Sequence, residues 1–314
     1  MLGSVELVEG NTRSAIAVVH ALVENQGDAW AVTASYLDRF VDEQRLLTAS
    51  HHAGERDEQV PYLRYVSQIG RRIAEMHLAL ATASELADFA PEPIQPADVQ
   101  RWIEDVATRA ERIFDALNQQ KDKLSEADRP LVDQTLAQRA TLHDHLTALL
   151  PPESFGLNIR QHGDFNLARM LIVKDDIFIT GFEGDLRRTL EERRRKAPAA
   201  RDVASLIRSI EYSATAALER ALKLAPDEHG RLGMALTEWV DRSTAAFLAA
   251  YREIMTNSPL WPADPNAAGQ ILDFFLLEKI LAELEYDLVQ RPEWIRAPLT
   301  GVLRLLSRCN NEAS

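Results

Sequence analysis

The amino-acid sequence predicts an α+β chain that is mostly helical, with an irregular β-island near its middle. Three observations point there. Apolar residues recur at three- and four-residue spacing over roughly 30–150 and again over roughly 201–308, the period of helices that bury one face. Strand-like runs are confined to the opening 25 residues and to 157–185. Pro and Gly clusters fall between these blocks and punctuate them.

Taken in order, Ser4-Val-Glu-Leu-Val and Ser14-Ala-Ile-Ala-Val-Val-His-Ala-Leu-Val read as the strands of a hairpin, with Glu9-Gly-Asn-Thr as its turn. A hairpin is marginal by itself and must lean on something else. Glu24 to Trp30 reads as a connector into helices. Tyr36, Phe40, Gln44 and Leu47 mark one helical stripe; Tyr62, Tyr65, Ile69, Ile73, Met76 and Leu80 mark a second. Pro91, Pro93 and Pro96 end that helical run and introduce the next. A long helix is expected from Pro96 to Lys123, and another opens at Ser125-Glu-Ala-Asp and ends at Pro151-Pro152. Asn158-Ile-Arg-Gln-His, Met170-Leu-Ile-Val and Ile177-Phe-Ile-Thr read as short strands, the last two joined by the turn Lys174-Asp175-Asp176. Helices are expected again over roughly 201–223, 228–255, 265–289 and 294–308.

Bulk properties exclude several function classes. At 314 residues the chain can bury a large core. Its net charge of −13 argues against a nucleic-acid partner, because phosphate backbones need a concentrated cationic face. Arg193-Arg194-Arg195-Lys196 follows Glu191-Glu192 and reads as a solvated segment. The lone Cys309 rules out an internal disulfide and any multi-cysteine metal site, which fits a reducing cytoplasm. No apolar run approaches the roughly 18 residues that span a bilayer, so no membrane partner is expected.

The β-island carries the chemistry. It contains His162-Gly163-Asp164-Phe165-Asn166-Leu167-Ala168-Arg169, then Ile179-Thr180-Gly181-Phe182-Glu183-Gly184-Asp185. The first run resembles the catalytic loop of the aminoglycoside-phosphotransferase-like kinases, whose shared pattern is His-Gly-Asp, four residues, then Asn or Gln. Phe182-Glu-Gly, Leu190-Glu-Glu-Arg-Arg, Arg201-Asp-Val-Ala, Ile207-Arg-Ser, Leu277-Glu278-Lys279 and Arg291-Pro-Glu-Trp-Ile-Arg-Ala-Pro-Leu further resemble the bacterial maltokinases. They are especially similar to the maltokinase domain fused to trehalose synthase.

That resemblance implies a protein-kinase-like C-terminal lobe over 30–314 and a remnant of the β-rich N-terminal lobe over 1–29. It implies ATP and Mg²⁺ as cofactors, and maltose or a related glucoside as acceptor, phosphorylated at its anomeric hydroxyl. A trehalose synthase-like polypeptide or an upstream lobe is the implied protein partner. Asp164 takes the place of the base that accepts the substrate hydroxyl proton, and His162 braces its loop. Asn166, Arg169, Gly181, Glu183 and Asp185 fall at nucleotide and metal positions. Arg201, Glu278, Lys279 and Glu283 are the sugar-site candidates.

The departures from the family pattern bear directly on activity. Arg169 stands where the family has a metal-binding Gln, and Gly181 where it has the metal-binding Asp. Asn166 and Ala282 replace a His and a Tyr. The first lysine anywhere is Lys121, so the opening hairpin holds no phosphate-gripping lysine. A guanidinium about 4 Å from a dication, at an effective dielectric near 20, is opposed by roughly 8 kcal/mol. It has only donors to offer and is no ligand. Glu183 and Asp185 are the remaining carboxylates, and on a continuing strand they would need a bulge to turn toward the metal.

Blander readings stand beside these. His51-His52 reads as a solvated loop, and the Trp residues at 30, 102, 239, 261 and 294 as packing. Glu278 and Lys279 also suit a salt-bridged helix face. Arg201-Asp202 is expected to support the catalytic loop, with Asp202 capping the helix that follows. The function expected is therefore maltokinase-like with weak or lost catalysis, or a pseudokinase that binds a sugar or a protein.

Overall fold

The structure is a computed structural model that describes residues 2–10, 12–47, 59–150 and 156–312. The expected pair His51-His52 lies outside these residues. The chain is mostly helical, with three two-stranded antiparallel ladders among the described residues.

Strands β1 (Gly3–Glu9) and β2 (Thr12–Val19) form the opening hairpin, with a register shift between Val5 and Glu6. Leu2, Val5, Leu7, Val8, Ile16 and Val18 remain exposed on it. The connector that follows is more than a spacer. Gln26 N–H donates to Ile172 O, Ile172 N–H donates to Gly27 O, and Asp28 bridges Leu171. Asp28 also accepts from Ala31 N–H at 2.8 Å, capping helix α1 (Ala29–Leu47).

Helix α2 (Val60–Leu80) packs along α8 (His229–Met255). The approach is close enough that a Cβ on Gly70 would stand 2.5 Å from the Phe247 carbonyl oxygen. Tyr36, Tyr62 and Trp239 stack where α1, α2 and α8 meet. Helix α3 (Pro96–Gln120) begins with a capping box between Gln95 and Asp98. Its Pro-rich approach is not plain loop: β3 (Glu92–Pro93) pairs with β4 (Leu157–Asn158).

Three expectations are corrected here. The helix expected over 125–150 is two, α4 (Arg129–Ala137) and α5 (Leu142–Leu149), separated by a run of turns. The strand expected over 158–162 ends at Asn158, because its partner β3 is only two residues long; beyond it only Ile159 bridges, to Ala197. The charged stretch after Asp185 contains a short helix, α6 (Leu190–Arg194), begun by a capping box between Thr189 and Glu192.

The hairpin β5 (Met170–Val173) and β6 (Asp176–Ile179) forms as expected, turning through Lys174 at φ 58°. Helices α7 (Ala200–Leu222), α9 (Pro265–Gln290) and α10 (Arg296–Glu312) complete the body. Helix α9 carries Leu, Ile and Phe on nearly all sides, and it is buried between α3, α7 and α10. Helix α2 packs on α8, α8 on α7 and α7 on α9, and α7 holds the loop of residues 160–169 through Asp202.

Candidate functional site

The loop is held from behind by one buried carboxylate. Asp202 Oδ2 accepts from His162 N–H at 2.9 Å, and its Oδ1 accepts from Gly163 N–H at 3.0 Å. Asp202 sits inside α7, with Ala199 at the N-cap position, so it clamps the loop and does not cap the helix. His77 on α2 donates from Nε2 to Asp202 at 3.4 Å, and its Nδ1 accepts from Tyr251 O–H at 2.8 Å. Burial raises the Tyr251 pKa, keeping that hydroxyl protonated. Burial alone would raise the Asp202 carboxyl, but His77 and the loop N–H groups outweigh it and lower its pKa. Three helices thereby position one loop.

His162 is fully buried and braces the loop from within. Its Nε2 lies 2.7 Å from Thr180 O. A carbonyl only accepts, so Nε2 carries the proton and Nδ1 receives the Asp164 N–H at 3.4 Å. Its ring packs against Phe165 and Phe182.

Asp164 faces Arg169. Arg169 Nη2 donates to Asp164 Oδ2 at 2.5 Å and Nε donates to the same oxygen at 3.2 Å, while Nη1 lies 3.5 Å from Glu183 Oε1. The charge-assisted hydrogen bond to Asp164 outweighs burial and raises the Arg169 pKa further. Gly181, at φ 83°, gives the arginine its room: a Cβ there would meet Arg169 Cδ at 2.9 Å. Asn166 does not aim at this cluster. Its Oδ1 accepts from Ala168 N–H and its Nδ2 donates to Asp164 O, so the amide is spent on the loop backbone.

Sequence alternation does not extend to Glu183 and Asp185, because β6 ends at Ile179 and the chain turns at Gly181 and Gly184, both with positive φ. Glu183 therefore joins Asp164 and Arg169, whereas Asp185 turns away and pairs with Arg187 through two 2.8 Å hydrogen bonds. Burial opposes ionisation of Asp185, and Arg187 overcomes it, leaving its pKa lowered.

These residues do not fit a magnesium ion. The acids nearest the position, Asp164 and Glu183, already face a guanidinium, and that guanidinium fills the space beside residue 181. No group of three or more His, Cys, Asp or Glu among the described residues is arranged to hold a metal.

Three of the four sugar-site candidates share one polar cleft beside the loop, walled by Gly163, Arg201, Glu278 and Lys279. Arg201 and Glu278 form a buried two-pronged ion pair, with Nε to Oε2 at 2.9 Å. Burial would raise the Glu278 pKa, but Arg201 lowers it. Glu283 lies elsewhere, accepting from Arg208 at 2.7 Å, because a five-residue step along α9 turns it off the face of Glu278. The sequence reading did not single out Arg188 and Ser205, which line the same cleft. Only the folded loop brings Arg188 there.

No family model matches the sequence. A curated relative, the glucosamine kinase of Streptacidiphilus jiangxiensis, is 22% identical over 304 residues, 97% of this chain and 60% of the relative. The chain thus spans about three-fifths of the length of the curated relative it matches. Two solved structures share the fold. A glucosamine kinase in complex with glucosamine, ADP and inorganic phosphate superposes with TM-score 0.74 at 19% identity, covering 98% of this chain and 68% of that one. Crystal form B of glucosamine kinase gives TM-score 0.72 at 19% identity, covering 96% and 64%. The chain therefore shares the fold of these glucosamine kinase structures.

Proposed function

We propose that this chain is a sugar-binding protein on a sugar-kinase scaffold, descended from an enzyme that phosphorylated maltose or a similar glucoside, in which phosphoryl transfer is suppressed. The pairing of Asp164 with Arg169 carries the reading. A catalytic-loop carboxylate works by accepting the proton of an acceptor hydroxyl placed within hydrogen-bond reach. Here Asp164 Oδ2 already receives two N–H groups from Arg169, so an incoming hydroxyl competes with a charge-assisted pair.

The positive charge itself has moved from an ion to a side chain. Kinase chemistry depends on cations that neutralise charge on the transferring group. A guanidinium locked between Asp164 and Glu183 is spent on those acids. The cleft beside the loop is walled by Arg201, Glu278 and Lys279, none of them part of the Asp164–Arg169–Glu183 cluster, and its polar lining supports the sugar-binding reading. On this reading residues 30–314 are the kinase-like C-terminal lobe and the opening hairpin belongs to the other lobe.

A coupled ADP-release assay on maltose tests the reading, run on the parent protein and on the Arg169→Gln, Gly181→Asp double variant. The parent is expected to be inactive and the double variant to gain turnover. A parent as fast as the double variant overturns suppression. Thermal-shift titration with maltose adds the binding arm: maltose at 100 times its Kd is expected to add about 2.7 kcal/mol of stability.

A further inference from the structure

Every carboxylate that lines the cleft beside Gly163 has its partner, and two of its cations do not. Glu278 is paired with Arg201, and Asp185 with Arg187. Glu192 accepts from Thr189 in the capping box, and Asp202 receives His77 and two loop N–H groups. Arg188 and Lys279 line the same cleft. Among the described residues neither has a carboxylate within ion-pair reach or a side-chain hydrogen bond. The Nε of Arg193, also at the wall, is buried without an acceptor.

Such an excess is costly. A half-buried guanidinium loses hydration and gets nothing back unless an anion arrives. Burial depresses the Arg188 pKa and Arg201 depresses it further, an effect that Glu278 and Asp185 offset only in part. This occurs in a chain whose net charge is −13, where surplus acids are plentiful elsewhere. The acids on this wall are already engaged by other partners.

We propose that the cleft takes a sugar bearing an oxyanion, carboxylate or phosphate, with Arg188 and Lys279 receiving the negative group. The proposal rests on the sugar-binding reading above and names the class of sugar. The Ser205 hydroxyl and the Arg201–Glu278 pair line the same wall and offer neutral hydrogen-bonding sites to sugar hydroxyls. Arginine suits a planar two-oxygen anion and lysine a point contact, so the two together fit either oxyanion. An ammonium-bearing sugar would meet like charge instead.

The test is isothermal titration of the full chain with glucose, glucuronate, glucose 6-phosphate, glucosamine and inorganic phosphate. One or both anionic sugars are expected to bind about tenfold or more tightly than glucose. Whichever of the two binds more tightly identifies the oxyanion. Glucosamine is expected to bind less tightly than glucose. Arg188→Gln and Lys279→Gln should each remove most of the anionic advantage, weakening the anionic sugars by a larger factor than glucose. Neither cation forms a close ion pair, so both variants should melt near the parent temperature without ligand, and a clearly lowered melting point would assign them to structure.

Glucuronate and glucose 6-phosphate binding no tighter than glucose would overturn the anion assignment while leaving sugar binding intact. Inorganic phosphate binding with no sugar bound would sink the sugar reading and this proposal together.

Discussion

Arg169 and Gly181 occupy one space: the arginine's Cδ lies 2.9 Å from where a Cβ on residue 181 would be. The two positions are structurally coupled, since a side chain at 181 requires the arginine to leave. The left-handed backbone at 181, φ 83°, adds its own strain for any other residue.

Gly181→Asp alone is therefore expected to destabilise the fold by about 1–3 kcal/mol. Adding Arg169→Gln should recover the steric part but not the backbone part. Urea denaturation of the two single variants and the double variant measures the coupling energy directly. Strict additivity would show that the side chains do not compete for space.

Removing Asp202 should release the loop without unfolding the helices. Asp202→Ala leaves His162 N–H, Gly163 N–H and the buried His77 without their acceptor. Each orphaned buried group costs about 1–3 kcal/mol. Hydrogen exchange should then lose protection at residues 162 and 163 first, with α8 and α9 changed only to the extent of the global loss.

Glu278→Ala strands a buried arginine and should cost about 3–5 kcal/mol, whereas replacing both partners, Arg201→Met with Glu278→Leu, should cost much less. Melting temperatures of the single and double variants decide it. Equal losses would mean that the charges themselves hold the helices together.

Acid sensitivity follows from the same pair. The pKa values of Glu278, Asp202 and Glu211 are lowered: burial opposes ionisation in each, and Arg201, His77 and Arg208 respectively overcome it. Their stabilisation is full above the unfolded carboxyl range near pH 4 and is lost as pH falls below that toward the folded values. Asp287 and Glu219, raised chiefly by burial, pull the other way, because protonation relieves their cost. Urea midpoints are expected to hold from pH 7 to about 5 and to fall below about 4. Glu278→Gln should flatten that fall.

Gly70→Ala tests the α2–α8 contact. The added carbon would stand 2.5 Å from the Phe247 carbonyl oxygen, so a loss of about 1–3 kcal/mol is expected, far beyond the gain from helix propensity. An unchanged melting temperature would mean that the two helices slide apart freely.

Much of this was legible in the sequence, for local reasons. Helix α9 announces its start through Asp264, whose carboxylate accepts from Ala267 N–H, followed by Pro265. The Lys174 turn between two apolar runs gives the β5–β6 hairpin. Helix α6 was equally readable, since Thr189 and Glu192 are a capping box, yet its charge density reads as loop. The grouping at the site is not local. Whether Glu183 or Asp185 faces Asp164 depends on two glycine turns after β6, and the place of Arg188 in the cleft depends on how that loop folds back on α7 and α9. Support of the loop by Asp202 was legible, but its expected capping role was not, because α7 begins two residues before it, at Ala200.

The opening hairpin leaves its strand edges without partners among the described residues. A two-stranded ribbon with aliphatic side chains exposed on it and an unsatisfied outer rim of amides and carbonyls is a template for further strands. Association of copies at that edge is the expected hazard at high concentration. A charged residue at Ile16 or Val18 would blunt that stickiness without touching the cleft.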